Sequence, residues 1–213
     1  MALDAVRQEG LVEVTALLCT VNADAQRVAM HAVRRSLLEA QADRLGLPLV
    51  TIEIPSACPN ELYDDRMLSA MAAARAEGVV HVIFGDLFLE DVRAYREERL
   101  AATAISPLFP LWGRPTDTLA GDMIDAGLKA VITCVDPSQL SRGFVGRSFD
   151  AELLSELPAG VDHCGENGEF HTFVYDGPGF RSPIEIETGE VVERDGFIFS
   201  DVLETGARSA SPR

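Results

Sequence analysis

The stretch that decides the fold is Gly78-Val79-Val80-His81-Val82-Ile83-Phe84-Gly85-Asp86. The residues before it follow a helical pattern over 61–77, and those after it are helical again over 90–103. A continuous apolar run between two helices predicts a buried strand of a parallel sheet. Gly85 and Asp86 then follow the carboxyl end of that strand, where open parallel sheets bind their ligands.

The same alternation of apolar runs and helical patterns extends on both sides. The further predicted helices are 3–9, 26–45 and 115–126, and the further predicted strands are 12–20, 49–54 and 130–135. This alternation is typical of βαβ units, so residues 1–136 are predicted to be α/β, with helices on both faces of a parallel sheet. Residues 137–205, with a loop, a short helix and β-like segments, predict a smaller α+β domain. Residues 206–213 are small and polar and are predicted to be disordered.

Composition restricts the class of protein. The chain has 213 residues and a formal net charge of -16, which argues against binding to nucleic acid or to an anionic membrane. No apolar run of about 18 residues is present, and the first residues do not resemble a secretory signal, so we expect a cytoplasmic protein. The four cysteines are scattered without a CxxC pair, which predicts neither a disulfide framework nor a thiolate zinc site.

A second stretch, His163-Cys164-Gly165-Glu166-Asn167-Gly168-Glu169-Phe170-His171-Thr172, carries the chemistry. It gathers carboxylates, imidazoles and a thiol around two glycines, which allow the backbone to approach a ligand closely. One alternative is a metal-dependent hydrolase in which His163, Cys164, Glu166, Glu169 and His171 are ligands. Their spacing matches no established zinc arrangement.

Polar residues follow three predicted strands, as expected for a ligand site at the carboxyl edge of a sheet. They are Thr20-Val21-Asn22, Gly85-Asp86 and Asp136-Pro137-Ser138. Asp86 can bind a metal ion or a hydroxyl group, or it can cap the helix that follows.

Taken in order, these segments resemble the diphthine–ammonia ligase family of the PP-loop ATP-pyrophosphatase superfamily, in its bacterial-type branch. The similar segments are Thr20-Val21-Asn22, 27–34, Gln41-Ala42, 46–49, Phe84-Gly85-Asp86, Pro110-Leu111-Trp112, 164–172 and Asp176-Gly177-Pro178. The resemblance implies a HUP-type, Rossmann-like domain that binds ATP with Mg²⁺ and cleaves it to AMP and pyrophosphate. A carboxylate, small or protein-borne, would be adenylated and then attacked by ammonia to give an amide. A homodimer is left open.

The resemblance also implies roles for individual residues. Those expected to bind the nucleotide are Thr20, Asn22, His31, Arg34, Gly85 and Asp86. Those expected to be catalytic are Glu166, Glu169 and His171. Those expected to bind the substrate are Gly165, Asn167, Gly168 and Thr172. No residue is assigned to a metal ion.

The chain departs from the family in two places. The Ser-Gly-Gly-Lys-Asp-Ser phosphate loop and the central strand before it are absent, and Lys129 is the only lysine. We therefore expect an incomplete N-terminus and unpaired edges on two neighbouring strands; the alternative is a non-catalytic nucleotide-binding protein. The family's Glu-Gly-Gly-Glu-Tyr-Glu-Thr segment has an acidic residue where this chain has His171, which leaves the acceptor substrate open.

Overall fold

Short strands alternate with helices through the first half of the protein, which confirms the α/β prediction. The computed structural model describes residues 1–10, 12–28 and 31–205; the predicted disordered tail lies outside them. The helices are α1 (Ala2–Glu9), α2 (Arg35–Leu45), α3 (Asn60–Ala76), α4 (Glu90–Leu100), α5 (Thr116–Asp125) and α6 (Ala151–Glu156). The strands are β1 (Leu17–Asn22), β2 (Arg27–Val28), β3 (Leu49–Ile54), β4 (His81–Ile83), β5 (Ser106–Leu108), β6 (Lys129–Val135), β7 (Phe170–Asp176), β8 (Ile186–Arg194) and β9 (Phe197–Glu204).

The predicted helix over 26–45 is wrong in its first part. Asn22 accepts the N–H groups of Asp24 and Ala25 through its side-chain oxygen, at 3.0 and 2.8 Å, which bends the chain directly after β1. The chain then returns as β2, antiparallel to β1, and the helix begins only at Arg35. Its end is as predicted, because Gly46 adopts a left-handed conformation with φ of 67°.

The parallel strands form two separate pairs. β1 pairs with β3, and β4 pairs with β5, a short strand that the sequence analysis missed. Among the described residues no strand joins the two pairs, so the single continuous parallel sheet that was expected is not observed.

The C-terminal half is built on a four-stranded antiparallel sheet with the order β7-β6-β9-β8. β6 lies inside this sheet and pairs antiparallel with both β7 and β9. The prediction that residues 130–135 continue the parallel sheet is therefore wrong. An apolar run shows that a strand is buried, but it does not specify which strand lies beside it.

One core cluster joins the two halves. Leu37 of α2 is fully buried against Val131 of β6, Phe173 of β7 and Val202 of β9. Burying these side chains together fixes the loop before α2 and the face of the antiparallel sheet relative to each other. This places the loop after β1 beside β7.

Truncating Leu37 tests this connection. We expect Leu37→Ala to lower the free energy of unfolding by about 2–5 kcal/mol, because it leaves a cavity where the halves meet. The matched control is Leu38→Ala, whose side chain is only partly buried. Urea unfolding followed by circular dichroism gives both values, and equal losses in the two variants would contradict the assignment.

Candidate active site

Asp162 organises the loop that carries the reactive groups. Its Oδ1 atom accepts the N–H of Cys164 at 2.9 Å and the N–H of Glu166 at 3.0 Å, and its Oδ2 atom accepts a hydrogen bond from the Thr116 hydroxyl at the start of α5. Sequence analysis missed both Asp162 and Thr116. The available signal was an aspartate two residues before a glycine-containing turn, where such side chains accept backbone N–H groups.

The buried side chain of Glu169 stabilises the loop through hydrogen bonds. Only 1% of the residue is exposed. Its carboxylate accepts the N–H of Asp162 at 2.8 Å, the N–H of Asn167 at 3.0 Å and the Asn167 side-chain amide at 3.0 Å. These three donors satisfy a buried charge and tie both ends of the loop together. Glu169 was predicted to be catalytic, but here its carboxylate faces the loop's own backbone.

Two glycines permit the turn. Gly165 and Gly168 have φ of 70° and 82°, a region that side-chain-bearing residues rarely adopt. A Cβ atom on Gly165 would lie 2.7 Å from the carbonyl oxygen of Phe170, whereas one on Gly168 would meet nothing within 4 Å. Of the other predicted substrate residues, Asn167 is exposed and Thr172 lies within β7, opposite Ile132 of β6.

The side chain of Glu166 extends from the loop to the residues that follow the carboxyl end of β4. Its Oε1 atom accepts the N–H of Leu87 at 2.7 Å. Burial raises the pKa of Glu166 above its ordinary value, and the neighbouring charges of Asp86 and Asp162 raise it further. A half-buried carboxylate with a raised pKa is a stronger base than an exposed one, which suits it to accept a proton.

Asp86 lies beside Glu166, but its carboxylate is engaged. Arg96 of α4 donates to both Asp86 oxygens, at 2.9 and 3.0 Å, and its guanidinium stacks over the Phe84 ring at 4.4 Å. Gly85 has open space where a side chain would otherwise be. A ligand can therefore approach the backbone of Gly85. The carboxylate of Asp86, by contrast, is held by Arg96, and this ion pair fixes the turn.

The residues predicted after β1 have mainly local contacts. Asn22 bends the chain as described above, and its side-chain amide donates to the Ser56 hydroxyl at 3.0 Å. Thr20 is partly buried in β1. Arg34 and Arg27 both donate to Asp201 of β9 beside an open pocket of about 360 Å³. A salt bridge therefore connects this loop to the antiparallel sheet.

The most informative contact is between His31 and His171. Their ring centroids lie 4.4 Å apart. Burial, together with the charge of His171, lowers the pKa of His31 to about 4, and burial lowers the pKa of His171 as well. Both imidazoles are neutral at pH 7. The sequence analysis predicted both as site residues in different domains, and the fold brings them together.

The segment from Glu166 to His171 therefore contacts the residues that follow β4 and the loop that follows β1. At one end Glu166 binds the backbone after β4, and at the other end His171 meets His31 in the loop after β1. The carboxyl ends of both parallel pairs thus face this segment.

Comparison with known proteins identifies the family. A family model described as "Diphthamide synthase C-terminal domain" matches residues 115–201, from α5 into β9. The diphthine–ammonia ligase of Danio rerio is 31% identical over 187 residues, which cover 81% of this chain and 73% of that protein. The Homo sapiens protein of the same name is 27% identical over 197 residues, covering 83% of this chain and 70% of that protein. The chain belongs to the diphthine–ammonia ligase family.

No group of three or more His, Cys, Asp or Glu residues in the described part of this diphthine–ammonia ligase family member is arranged to hold a metal ion. The metal-dependent hydrolase is therefore not supported. None of the described helices is long and apolar enough to span a membrane.

A pair of glycine variants tests the geometry of the loop. Gly168→Ala introduces backbone strain alone, and we expect a loss of about 1–2 kcal/mol in the free energy of unfolding. Gly165→Ala adds a collision with backbone, so its loss should be larger, about 3 kcal/mol or more. Thermal unfolding compares the two, and a smaller loss for Gly165→Ala would contradict the close approach to Phe170.

The histidine contact predicts a dependence of stability on pH. Because the folded pKa of His31, about 4, lies below its ordinary value of 6.5, the unfolded chain binds the proton first. The stabilisation is present above pH 6.5 and is lost as the pH falls toward 4, by roughly 2–3 kcal/mol. His31→Asn should lose less stability than the unmodified protein between pH 7 and 4.5 in urea titrations. Identical slopes would rule out the burial of a neutral imidazole.

Proposed function

We propose that this protein is an ATP-dependent ligase that forms an amide from a carboxylate and ammonia. The observation that carries the proposal is family membership, since the relatives that share most of its length are named diphthine–ammonia ligase. ATP would convert the carboxylate into an acyl-adenylate, which makes AMP the leaving group when ammonia attacks. We further propose that the acceptor is a carboxylate, either of a small molecule or of a protein. That the protein forms a homodimer is also a proposal.

Glu166 is our candidate for handling ammonia. Ammonium must be held near the acyl carbon and must lose a proton before or during the attack. Glu166 is the loop carboxylate with an oxygen not committed to the loop itself, and its raised pKa suits it to take that proton. We assign Glu169 a positioning role, because its three hydrogen bonds shape the loop that presents Glu166.

His31 and His171 are our candidates for orienting the acceptor. A neutral imidazole donates one hydrogen bond and accepts another without carrying a charge. In this chain His171 occupies the place where the family segment has an acidic residue, so it removes a negative charge from the presumed acceptor pocket. We propose that this change affects which carboxylate is accepted, and that Gly165, Asn167, Gly168 and Thr172 line the same pocket.

The proposed nucleotide site lies at the carboxyl ends of β1 and β4, in a HUP-type domain, with Thr20, Asn22 and Gly85 along it. The residues fit the phosphates of ATP and Mg²⁺ poorly. Arg34 pairs with Asp201, Arg96 pairs with Asp86, and the only lysine, Lys129, pairs with Asp176 at 2.9 Å. These three cations are already neutralised, and no described residue is assigned to the pyrophosphate.

Pyrophosphate release measures the activity directly. The purified protein is incubated with ATP, ammonium chloride and a diphthine-bearing protein, and pyrophosphate and AMP are quantified. Both products, dependent on ammonium, are expected of a ligase. ATP binding without pyrophosphate, detected as thermal stabilisation, would indicate instead the non-catalytic nucleotide-binding protein.

Glu166→Gln tests the assigned base. We expect turnover to fall by about 10²–10⁴-fold, because the variant keeps the shape of the side chain but cannot accept a proton. The unmodified protein should lose activity as the pH falls through the raised pKa of Glu166, since only the ionised form is a base. Glu193→Gln, on the exposed β8, is the matched control. Unchanged turnover in Glu166→Gln would remove Glu166 from the mechanism.

A further inference from the structure

Two arginine side chains lie against two glycine turns at the C-terminal end of α2. A Cβ atom on Gly46, just past that helix, would lie 2.7 Å from Cζ of Arg181. A Cβ atom on Gly179 would lie 2.8 Å from Nη1 of Arg7, in the last turn of α1. Because neither glycine has a side chain, the two guanidinium groups can lie directly against the backbone.

The two guanidinium groups are close neighbours. Arg7 donates from Nη2 to the carbonyl oxygen of Leu45 at 3.4 Å, and Arg181 lies over the next residue, Gly46. Because one peptide bond joins these two residues, the nearest nitrogens of the two guanidinium groups are no more than about 10 Å apart. One ligand with several oxygens can therefore contact both groups.

The segment that carries Arg181 is held in place by the rest of the fold. The Arg181 N–H donates to the carbonyl oxygen of Arg44 at 2.8 Å. The preceding residue, Phe180, packs on the core cluster that contains Leu37. These contacts fix the backbone from which the Arg181 side chain extends, which lowers the entropy lost when a ligand binds.

Neither arginine is neutralised by a carboxylate, although the chain has 34 acidic residues. Within residues 1–10, 12–28 and 31–205, neither Arg7 nor Arg181 forms a salt bridge. The residues outside those ranges include no aspartate or glutamate. The nearby carboxylate of Asp43 is paired with Arg44 at 2.6 Å. Two neighbouring positive charges repel each other, and an anion bound between them removes that repulsion.

The helix dipole accounts for one of these two charges but not for the other. Cations are favoured at the C-terminal end of a helix, and Arg7 contacts the last carbonyl group of α2, that of Leu45. The carbonyl group of Arg44 accepts the backbone N–H of Arg181 and not its side chain. In the part of the chain that the structure describes, the guanidinium of Arg181 donates no hydrogen bond. Its N–H groups are therefore available to a ligand.

We propose that Arg7 and Arg181 form a phosphate site, which binds the phosphate group of a small anion. Arginine binds phosphate through charge-assisted hydrogen bonds, and its planar fork matches two phosphate oxygens. The formal net charge of -16 repels anions from most of the surface, so binding requires a local concentration of donors such as this one. Inorganic phosphate and phosphate esters share the required chemistry.

The phosphate site is separate from the candidate active site. α2 begins at Arg35, close to the loop of His31, and ends at Leu45, so its two ends are about 15 Å apart. β7 likewise leads away from the candidate active site, to the loop that carries Arg181. The proposal therefore does not depend on the residues assigned to ATP, ammonia or the acceptor.

Titration with sodium phosphate tests the proposal without ATP, so its failure is distinct from failure of the ligase assignment. Phosphate replaces chloride at constant ionic strength and pH 7. NMR should show saturable shifts at the backbone N–H groups of Gly46 and Gly179 and at the Nε–H groups of Arg7 and Arg181. At ten times its dissociation constant, phosphate should raise the melting temperature by about 3–6 °C.

A parallel titration with glycerol 3-phosphate distinguishes the two sources of the phosphate group. Tighter binding of inorganic phosphate would support a free anion as the ligand, and tighter binding of glycerol 3-phosphate would support a phosphate ester. The absence of saturable shifts with either compound at about 50 mM would overturn the proposal.

Paired variants locate the binding. Arg7→Gln and Arg181→Gln should each weaken phosphate binding at least tenfold, because each removes a charged donor and keeps most of the side chain. The matched control is Arg75→Gln, at an exposed arginine of α3 that also forms no salt bridge within the described residues. It removes the same charge and should leave the affinity unchanged. Equal affinities of Arg181→Gln and Arg75→Gln would show that phosphate responds to net charge alone and would refute the site.

Discussion

The buried carboxylate of Glu169 is the interaction on which the site depends. It is almost fully buried, where an unpaired charge would be strongly destabilising, and it is tolerated because three N–H donors from Asp162 and Asn167 surround it. Those donors all come from the loop, so satisfying the charge also fixes the loop's shape. The turn at Gly165 and the direction of Glu166 both follow from this.

From that loop, contacts extend to both parts of the first half of the chain. Glu166 binds the backbone after β4, and His171 touches His31 after β1. Asp201 on β9, in the same antiparallel sheet as β7, holds Arg34. The apolar cluster around Leu37 provides the stability behind these polar contacts. The polar contacts determine orientation, because paired and partly exposed charges add little net stability of their own.

The two parallel pairs show the opposite situation, in which backbone groups lack partners. β1 and β4 contribute apolar side chains and N–H and C=O groups to a groove that no described strand fills. The candidate site lies at the carboxyl ends of these same strands. The open groove and the candidate site are therefore neighbours. In the loop of residues 162–171, by contrast, the carboxylates of Asp162 and Glu169 have hydrogen-bond donors.

The sequence by itself determined most of the helices and strands and the segment that carries the reactive side chains. Apolar runs and helical spacing located most helices and strands, and the residue types at 163–172 identified the candidate site, because both signals are local. Only the tertiary structure decided that β6 pairs antiparallel, that His31 meets His171, and that Asp86 and Arg34 are neutralised by Arg96 and Asp201. Each of these depends on residues far apart in the chain, whose pairing is set by which apolar faces pack together, and no local pattern records that choice.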